Sequence, residues 1–447
     1  MKKNLLAVCA AALSLFTAGS LVPGAAYATD TRINSLSAAG AEFAPGAAFN
    51  EKSVTIRDSA NIYQLPQFMV AYKNSVDVDA TNAAVYGTMN VRYALSDEAV
   101  LLLYGKRSPW EYVTGLPTIG GTDANKVSGY GPGYGDPTNH QFGLGFGLKA
   151  GESLRLGALF SYGGGTVNGA FDGTGTHLPP ISTPPAQSGA TWLRFGLGLG
   201  VDLNEHNSLD FALHLATGSF TDTANNTVGY QAGTNPNLDF ALLAKGEFMV
   251  HQIAKLVPYF RFGYQSRGVG HNGTKDDGEG AKTGNYSGIG LNLGADLAIT
   301  PVEGVLIQPG LGLALRTSSL TGNSAANPGL VSGGPSEVSI ENGGRLLMPF
   351  YGFAAEAKAF DWMVLRLGAR QTIVNKHFDI SKQPDDKTDA GDYSTVKNTV
   401  TTGVGLKMMG WNLDVNMAPQ FFNNGLYAVT GNPTSGWGID WALGYNW

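Results

Sequence analysis

The chain has one cysteine, Cys9, and few charges for its length: 14% of its 447 residues are Asp, Glu, Lys or Arg, with a formal net charge of −6. A single thiol excludes an internal disulfide framework and the metal sites built on paired thiolates. The acidic balance argues against a nucleic-acid partner, which calls for a basic face. Beyond the first thirty residues there is no uninterrupted apolar run of about 20 residues, so a helical membrane protein is excluded. Enzyme signatures are missing as well. There is no H-E-x-x-H and no nucleotide loop, and the G-x-G spacing in Phe142-Gly-Leu-Gly-Phe-Gly is followed by no helical pattern. His214 and Asp210 share one face of a strand pattern, but no plausible nucleophilic serine accompanies them. No catalysis, cofactor or resident metal is expected, and Asp276, Asp277 and Glu279 read as a solvated loop.

The first residues are those of an export signal. Lys2 and Lys3, an apolar run from Leu5 to Phe16 and the small-x-small triplet Ala26-Tyr27-Ala28 predict Sec-dependent export with cleavage near Ala28. Cys9 lies inside the apolar run, too near the start for a lipid-attachment box. Removal of residues 1–28 leaves no cysteine, and with Lys2 and Lys3 gone the charge becomes more negative.

What the chain has in quantity is glycine, 62 residues, and alternation. Trp437 to Trp447 reads W-G-I-D-W-A-L-G-Y-N-W, with Trp437, Ile439, Trp441, Leu443, Tyr445 and Trp447 on one parity and small or polar residues on the other. That period of two is a strand's, and about ten such residues, tilted, cross a bilayer. The segment resembles the closing strand of bacterial outer-membrane β-barrels. The resemblance implies that Trp441, Tyr445 and Trp447 form a signal read by the barrel-assembly machinery.

The same rule repeats along residues 67–447: Phe68 to Val78, Val85 to Leu95, Ala99 to Lys106, Phe142 to Lys149, Leu154 to Phe160, and so on through Trp411 to Phe421. About sixteen strands result. Short turns fall near residues 96, 150, 204, 252, 301, 360 and 409. Long polar connections, among them 107–139, 317–344 and 375–397, alternate with them. Short periplasmic turns and long extracellular loops are the outer-membrane pattern. The expected fold is therefore all-β: a closed antiparallel transmembrane β-barrel of about 16 strands, with 14 as the alternative. Its place is the outer membrane, in contact with lipid.

Charge parity supports the same fold. Lys73, Arg92, Arg155, Arg194, Asp210, Asp239, Glu247, Arg261, Asp296, Arg316, Arg366, Arg370, Asp414 and Asp440 each oppose their strand's large apolar set. An Arg or Lys facing lipid at mid-membrane costs about 2–4 kcal/mol, so these residues are expected to line the lumen and partly to pair there. Glycines such as Gly143, Gly145, Gly196 and Gly198 share that face and let backbone approach closely. Aromatics at strand ends, including Tyr72, Tyr104, Trp362 and Trp411, are expected in interfacial girdles.

Residues 29–66 show little alternation. Within them, Asp58-Ser59-Ala60-Asn61-Ile62-Tyr63-Gln64-Leu65-Pro66 follows Ser35-Leu36-Ser37-Ala38-Ala39-Gly40. This pair of stretches resembles the amino-terminal segment of the long-chain fatty-acid transporter family, in which S-L-G leads to D-x-A-x-x-x-x-N-P. Leu65 stands where that family has Asn, and Gln67 where it has Ala. The resemblance implies fourteen strands and a short plug inside the barrel carrying Asp58, Ala60, Tyr63 and Pro66. The functional expectation is a channel for passive uptake of small or apolar solutes. An open diffusion porin for hydrophilic solutes and a structural barrel acting as surface anchor or assembly partner are the alternatives. Apolar Trp110, Tyr112, Val113 and Leu116 in the first long connection are candidates to collect a hydrophobic ligand.

Overall fold

A computed structural model of the protein describes residues 30–37, 53–81, 86–108, 139–168, 187–222, 237–271, 282–323, 339–382, 387–417 and 439–447. Residues 1–28, where an export signal is expected, Asp276 to Glu279 and the apolar group of Trp110 to Leu116 lie outside them. The first described element is the helix α1 (Asp30–Ser37), and two short 3-10 turns follow at Ser59–Tyr63 and Pro66–Ala71. Strands then run β1 (Ser75–Thr81), β2 (Tyr86–Ala94), β3 (Ala99–Ser108), β4 (Asn139–Ala150), β5 (Leu154–Asn168), β6 (Gln187–Asp202), β7 (Ser208–Asp222) and β8 (Asn237–His251). The second half comprises β9 (Ala254–His271), β10 (Lys282–Ile299), β11 (Val305–Asn323), β12 (Ser339–Phe360), β13 (Met363–Lys382), β14 (Lys387–Met408), β15 (Trp411–Met417) and β16 (Ile439–Asn446).

Each strand pairs antiparallel with its sequence neighbours, and β1 closes on β16 through Val76↔Tyr445 and Ala80↔Trp441. The barrel has sixteen strands, and the fourteen-strand alternative is removed. Closure leaves no sheet edge, which is what a bilayer requires of a β-structure. Tight turns at residues 95–98, 151–153, 203–207, 252–253, 300–304, 361–362 and 409–410 share one end with the start of β1 and the end of β16. At the last of these, Met409 (φ 49°) and Gly410 (φ 84°) supply the positive φ pair that a two-residue hairpin favours.

Alternation sorts the two faces. Leu193, Phe195, Leu197 and Leu199 of β6 are exposed outward, and Gly196, Gly198 and Gly200 between them are buried inward. Around the rest of the barrel Phe142, Phe146, Phe211, Phe260, Leu311, Leu365 and Trp441 continue the outer apolar belt. At the turn end, Phe360 stacks on Trp362 (5.4 Å) and Tyr445 lies between Trp411 (4.8 Å) and Trp447 (6.3 Å), an aromatic rim of the kind found at membrane interfaces.

Four details differ from the sequence reading. The first strand starts at Ser75 rather than Phe68. Pro66 opens a 3-10 turn, and Phe68, Met69 and Tyr72 are all buried, so this apolar run packs on every side instead of alternating. Lys73 is accordingly no strand residue; its Nζ lies 3.4 Å from Asp97 in the exposed β2–β3 turn. Tyr72 and Tyr104 belong to an internal cluster, not a girdle. The connection expected at 375–397 is largely a hairpin, since β13 and β14 stay paired out to Lys382↔Lys387. The strands there carry Asn375, Lys376, Ser394 and Thr395; ladder hydrogen bonds hold them, and no apolar alternation marks them.

Candidate functional site: the barrel interior

The interior is occupied by the chain's own early residues. α1 lies against β1 and β12 to β16, and the turn Pro66–Ala71 lies against β3 to β6. Asp58 caps the turn Ser59–Tyr63 by accepting from Ala60 N at 2.9 Å, the usual service of an Asp before a helical turn. Pro66 begins the second turn, where its missing N–H leaves nothing unpaired. These two short turns aim Ile62, Leu65, Phe68 and Met69 at Leu102, Tyr104, Leu159 and Leu243 of the wall, and Tyr63 meets Tyr104 edge to face at 5.0 Å.

The wall admits this segment because it lacks side chains where the backbone comes closest. A Cβ at Gly157 would lie 2.1 Å from the carbonyl carbon of Pro66, one at Gly368 2.5 Å from the carbonyl oxygen of Leu36, and one at Gly145 2.8 Å from Met69 Sδ. No larger residue fits at Gly157 or Gly368 without moving the backbone of the inner segment.

Polar contacts fix the register of the segment on the wall. Arg32 forks onto Glu356 of β12 (Nε 2.7 Å, Nη2 3.0 Å) and reaches Asp58 with Nη1 at 3.0 Å. Glu356 also accepts from Arg366 at 2.8 Å, and Arg366 donates to Asp414 at 2.6 Å. A chain of alternating charge, buried except at the half-buried Glu356, thus runs Asp58, Arg32, Glu356, Arg366, Asp414. Burial opposes the Arg32 charge, but Glu356 and then Asp58 outweigh it and hold the guanidinium above its ordinary range. Burial acts on Asp58 in the other direction and pushes its carboxyl up to about 7, against the pull of Arg32. Further moorings are Thr31 on Asp79 (3.1 Å), Thr55 on Asp296, Gln67 on Asp210 (3.1 Å), and Gln64, which accepts from Arg261 (2.7 Å). The Gln64 carbonyl is 2.8 Å from His214 Nε2.

The remaining predicted residues fall as follows. Arg92 is fully buried and paired with Asp77, and its guanidinium lies 5.9 Å from the Tyr72 ring. Arg155 reaches Asp202 (2.8 Å) and Asp210 (3.4 Å). Glu247 sits between Lys245 (3.0 Å) and Arg57 of the inner segment (3.2 Å). Arg57, Arg155 and Lys245 surround the Phe68 ring at 5.9, 5.7 and 5.2 Å. Asp239 is buried on the inner face of β8, and Arg194 is half-buried on that of β6. Asp440 accepts from Asn416 at 3.2 Å. Arg370 lies over the Phe350 ring at 4.0 Å. Arg316 is on β11, and its side chain is outside the described residues. Trp441, Tyr445 and Trp447 are on the outer face or rim, and Trp447 N donates to Asn74 O at 3.2 Å.

Sequence reasoning did not single out Thr31, Arg32, Thr55 or Arg57, nor Asp77 and Asp79 of β1. For the last two a signal existed, the alternation Val76-Asp-Val-Asp-Ala80. Arg32 offered none, because its wall partner is 324 positions away. Among the described residues no His/Cys/Asp/Glu group is arranged to hold a metal ion.

A closed sixteen-stranded sheet with an apolar outside, and with charges and a chain segment inside, defines a transmembrane β-barrel with an internally packed amino-terminal segment. No family model and no curated protein matches the sequence. Solved structures similar to the chain include the open form of the ferric-catecholate import receptor Fiu from E. coli K12, at 9% identity and TM-score 0.36 over 84% of this chain and 82% of that one. The ferric yersiniabactin uptake receptor FyuA from Yersinia pestis shares 9% identity at TM-score 0.38, over 77% and 68%. The translocator domain of autotransporter NalP from Neisseria meningitidis shares 14% identity at TM-score 0.31, over 67% and 90%. At these identities and scores the likenesses say nothing of what this chain binds or moves.

Proposed function

We propose that the protein is an outer-membrane channel for passive uptake of small or apolar solutes, exported through the Sec route, inserted by the barrel-assembly machinery and plugged by its own amino-terminal segment. The observation that carries this reading is the way the segment is held: anchored at polar points to β1, β7, β9, β10, β12 and β14, and seated on wall glycines. A segment that merely led into the first strand would not need a glycine-smoothed wall or a buried charge chain. Solute passage then requires the plug to shift locally or to leave a side path. A second reading, a diffusion porin for hydrophilic solutes, draws support from the polar wall of β9 to β13, where Asn292, Asp296, Gln308 and Arg370 border residual space.

Swelling of liposomes carrying the purified protein distinguishes the two. A plugged channel gives slow swelling in small sugars that accelerates severalfold when residues 35–60 are deleted. Fast swelling of the wild type, unchanged by the deletion, supports the porin. No swelling in either form contradicts both.

A further inference from the structure

Between the inner segment and the wall of β9 to β13 lies a cavity of about 90 Å³ whose two sides differ in chemistry. The inner-segment side brings apolar Leu36, Val54 and Ile56, each nearly or fully buried, together with the hydroxyls of Ser53 and Thr55, which are hydrogen-bonded to each other, Thr55 also to Asp296. The wall side presents two arginines, Arg261 and Arg370, and one carboxylate, Asp296. That carboxylate is already engaged. Its Oδ2 accepts from Thr55 and, at 2.9 Å, from Gln308, and its Oδ1 is turned onto Gly310, where a Cβ would lie 1.9 Å away. Two arginines thus face one carboxylate on this wall, with Arg261 donating to Gln64 of the segment at 2.7 Å and Arg370 attracted to Asp296. Asn292, on the same wall, has a buried Oδ1 with no hydrogen-bond partner among the described residues.

Two aromatic rings fix the shape of this wall. Tyr259 lies across Gly294 and Phe350 across Gly312, where added Cβ atoms would come within 2.7 and 2.3 Å of them. The Arg370 guanidinium stacks on Phe350 at 4.0 Å. Stacking on Phe350 covers one flat face of the guanidinium and directs its N–H edges sideways, the geometry in which arginine forks onto a carboxylate. A partly enclosed pocket with two arginines and one carboxylate favours an anion, and Leu36, Val54 and Ile56 opposite favour an anion with a hydrophobic body.

We propose that this cavity is a binding subsite for a small organic acid, with the carboxylate on Arg370 and the body between Tyr259, Val54 and Ile56. This names a solute class for the channel and rests on that reading. The dimensions suit a body of ring size rather than a long acyl chain. Binding here also touches the strap that carries Thr55, so an occupied subsite bears directly on one of the plug's moorings.

Equilibrium dialysis of the detergent-solubilised full chain tests the proposal without requiring transport. Benzoate is expected to bind saturably, and about tenfold more tightly than the isosteric neutral benzamide. Arg370→Gln is expected to remove the preference and Phe350→Ala to reduce it. Arg194→Gln, a lumen arginine outside the cavity, leaves it intact, and heat-modifiability confirms that each variant is folded. Equal binding of benzoate and benzamide, a preference that survives Arg370→Gln, or tetradecanoate binding as tightly as benzoate each overturns the proposal. Benzoate binding without solute flux in the swelling assay refutes the channel while the subsite stands; flux without a carboxylate preference refutes the subsite alone.

Discussion

Gly157 of β5 meets Pro66 of the inner segment so closely that an added Cβ would stand 2.1 Å from the Pro66 carbonyl carbon and 2.2 Å from Gln67 N. Backbone, not a flexible side-chain end, occupies that space, so a larger residue must push the segment away. Gly157→Val should loosen the segment by about 1–3 kcal/mol, the usual penalty of overpacking, and raise its cleavage rate by added protease. The barrel ladder, whose hydrogen bonds the substitution leaves in place, should keep its heat-modifiability. Cleavage at the wild-type rate would show that this contact does not hold the segment.

Arg32 is the only described cation contacting both Asp58 and Glu356. Arg32→Ala leaves the buried Asp58 and the half-buried Glu356 with reduced compensation, and since Glu356 keeps Arg366 the loss should stay below the roughly 3–5 kcal/mol of a fully buried pair broken. Protease susceptibility of the segment should rise more than for Gly157→Val. The double variant Arg32→Ala/Asp58→Asn should recover part of the loss, since one orphaned charge is gone. No recovery would mean that Glu356 alone carries the coupling.

Asp58 is expected to make segment docking pH-dependent. Its carboxyl is raised to about 7 by burial, with Asp414 adding to the push and Arg32 opposing it. A folded-state value above the unfolded one means that the docked form binds the proton more tightly. Its contribution is therefore complete below about pH 4 and is lost as pH rises through about 7. Segment cleavage should accelerate as pH rises from about 4 to about 7 and level off above that, and Asp58→Asn, which keeps an acceptor for Ala60 N, should flatten the profile. An identical profile in the variant would place the pH dependence elsewhere.

Leu197 projects outward from β6, more than half exposed, between the inward Gly196 and Gly198. Leu197→Arg puts a charge in the apolar belt at a cost of about 2–4 kcal/mol, and denaturant titration of the protein in lipid vesicles should show a loss of that size. Leu197→Phe should be neutral. Equal stability of both variants would mean that this face does not meet lipid.

The barrel was legible because one physical requirement, apolar outside and polar inside, acts on every second residue of every wall strand. Arg92, Asp210, Glu247 and Asp414 could be placed by parity alone. The rule fails where its cause is missing. Beyond the belt, Asn375 and Ser394 pair across β13 and β14 with no lipid to select an apolar face. Phe68 and Met69 are apolar for a different reason, burial inside the lumen, and so resembled a strand. The Asp58 turn showed through its local spacing, whereas the Arg32–Glu356 fork depends on two residues brought together only by barrel closure.

The central claim is that the amino-terminal segment occludes the lumen, and single-channel conductance in planar bilayers tests it most directly. Wild type should show small, infrequent steps, and deletion of residues 35–60 should raise conductance severalfold while the barrel remains heat-modifiable. Large steady conductance of the wild type, unaltered by the deletion, would contradict the account.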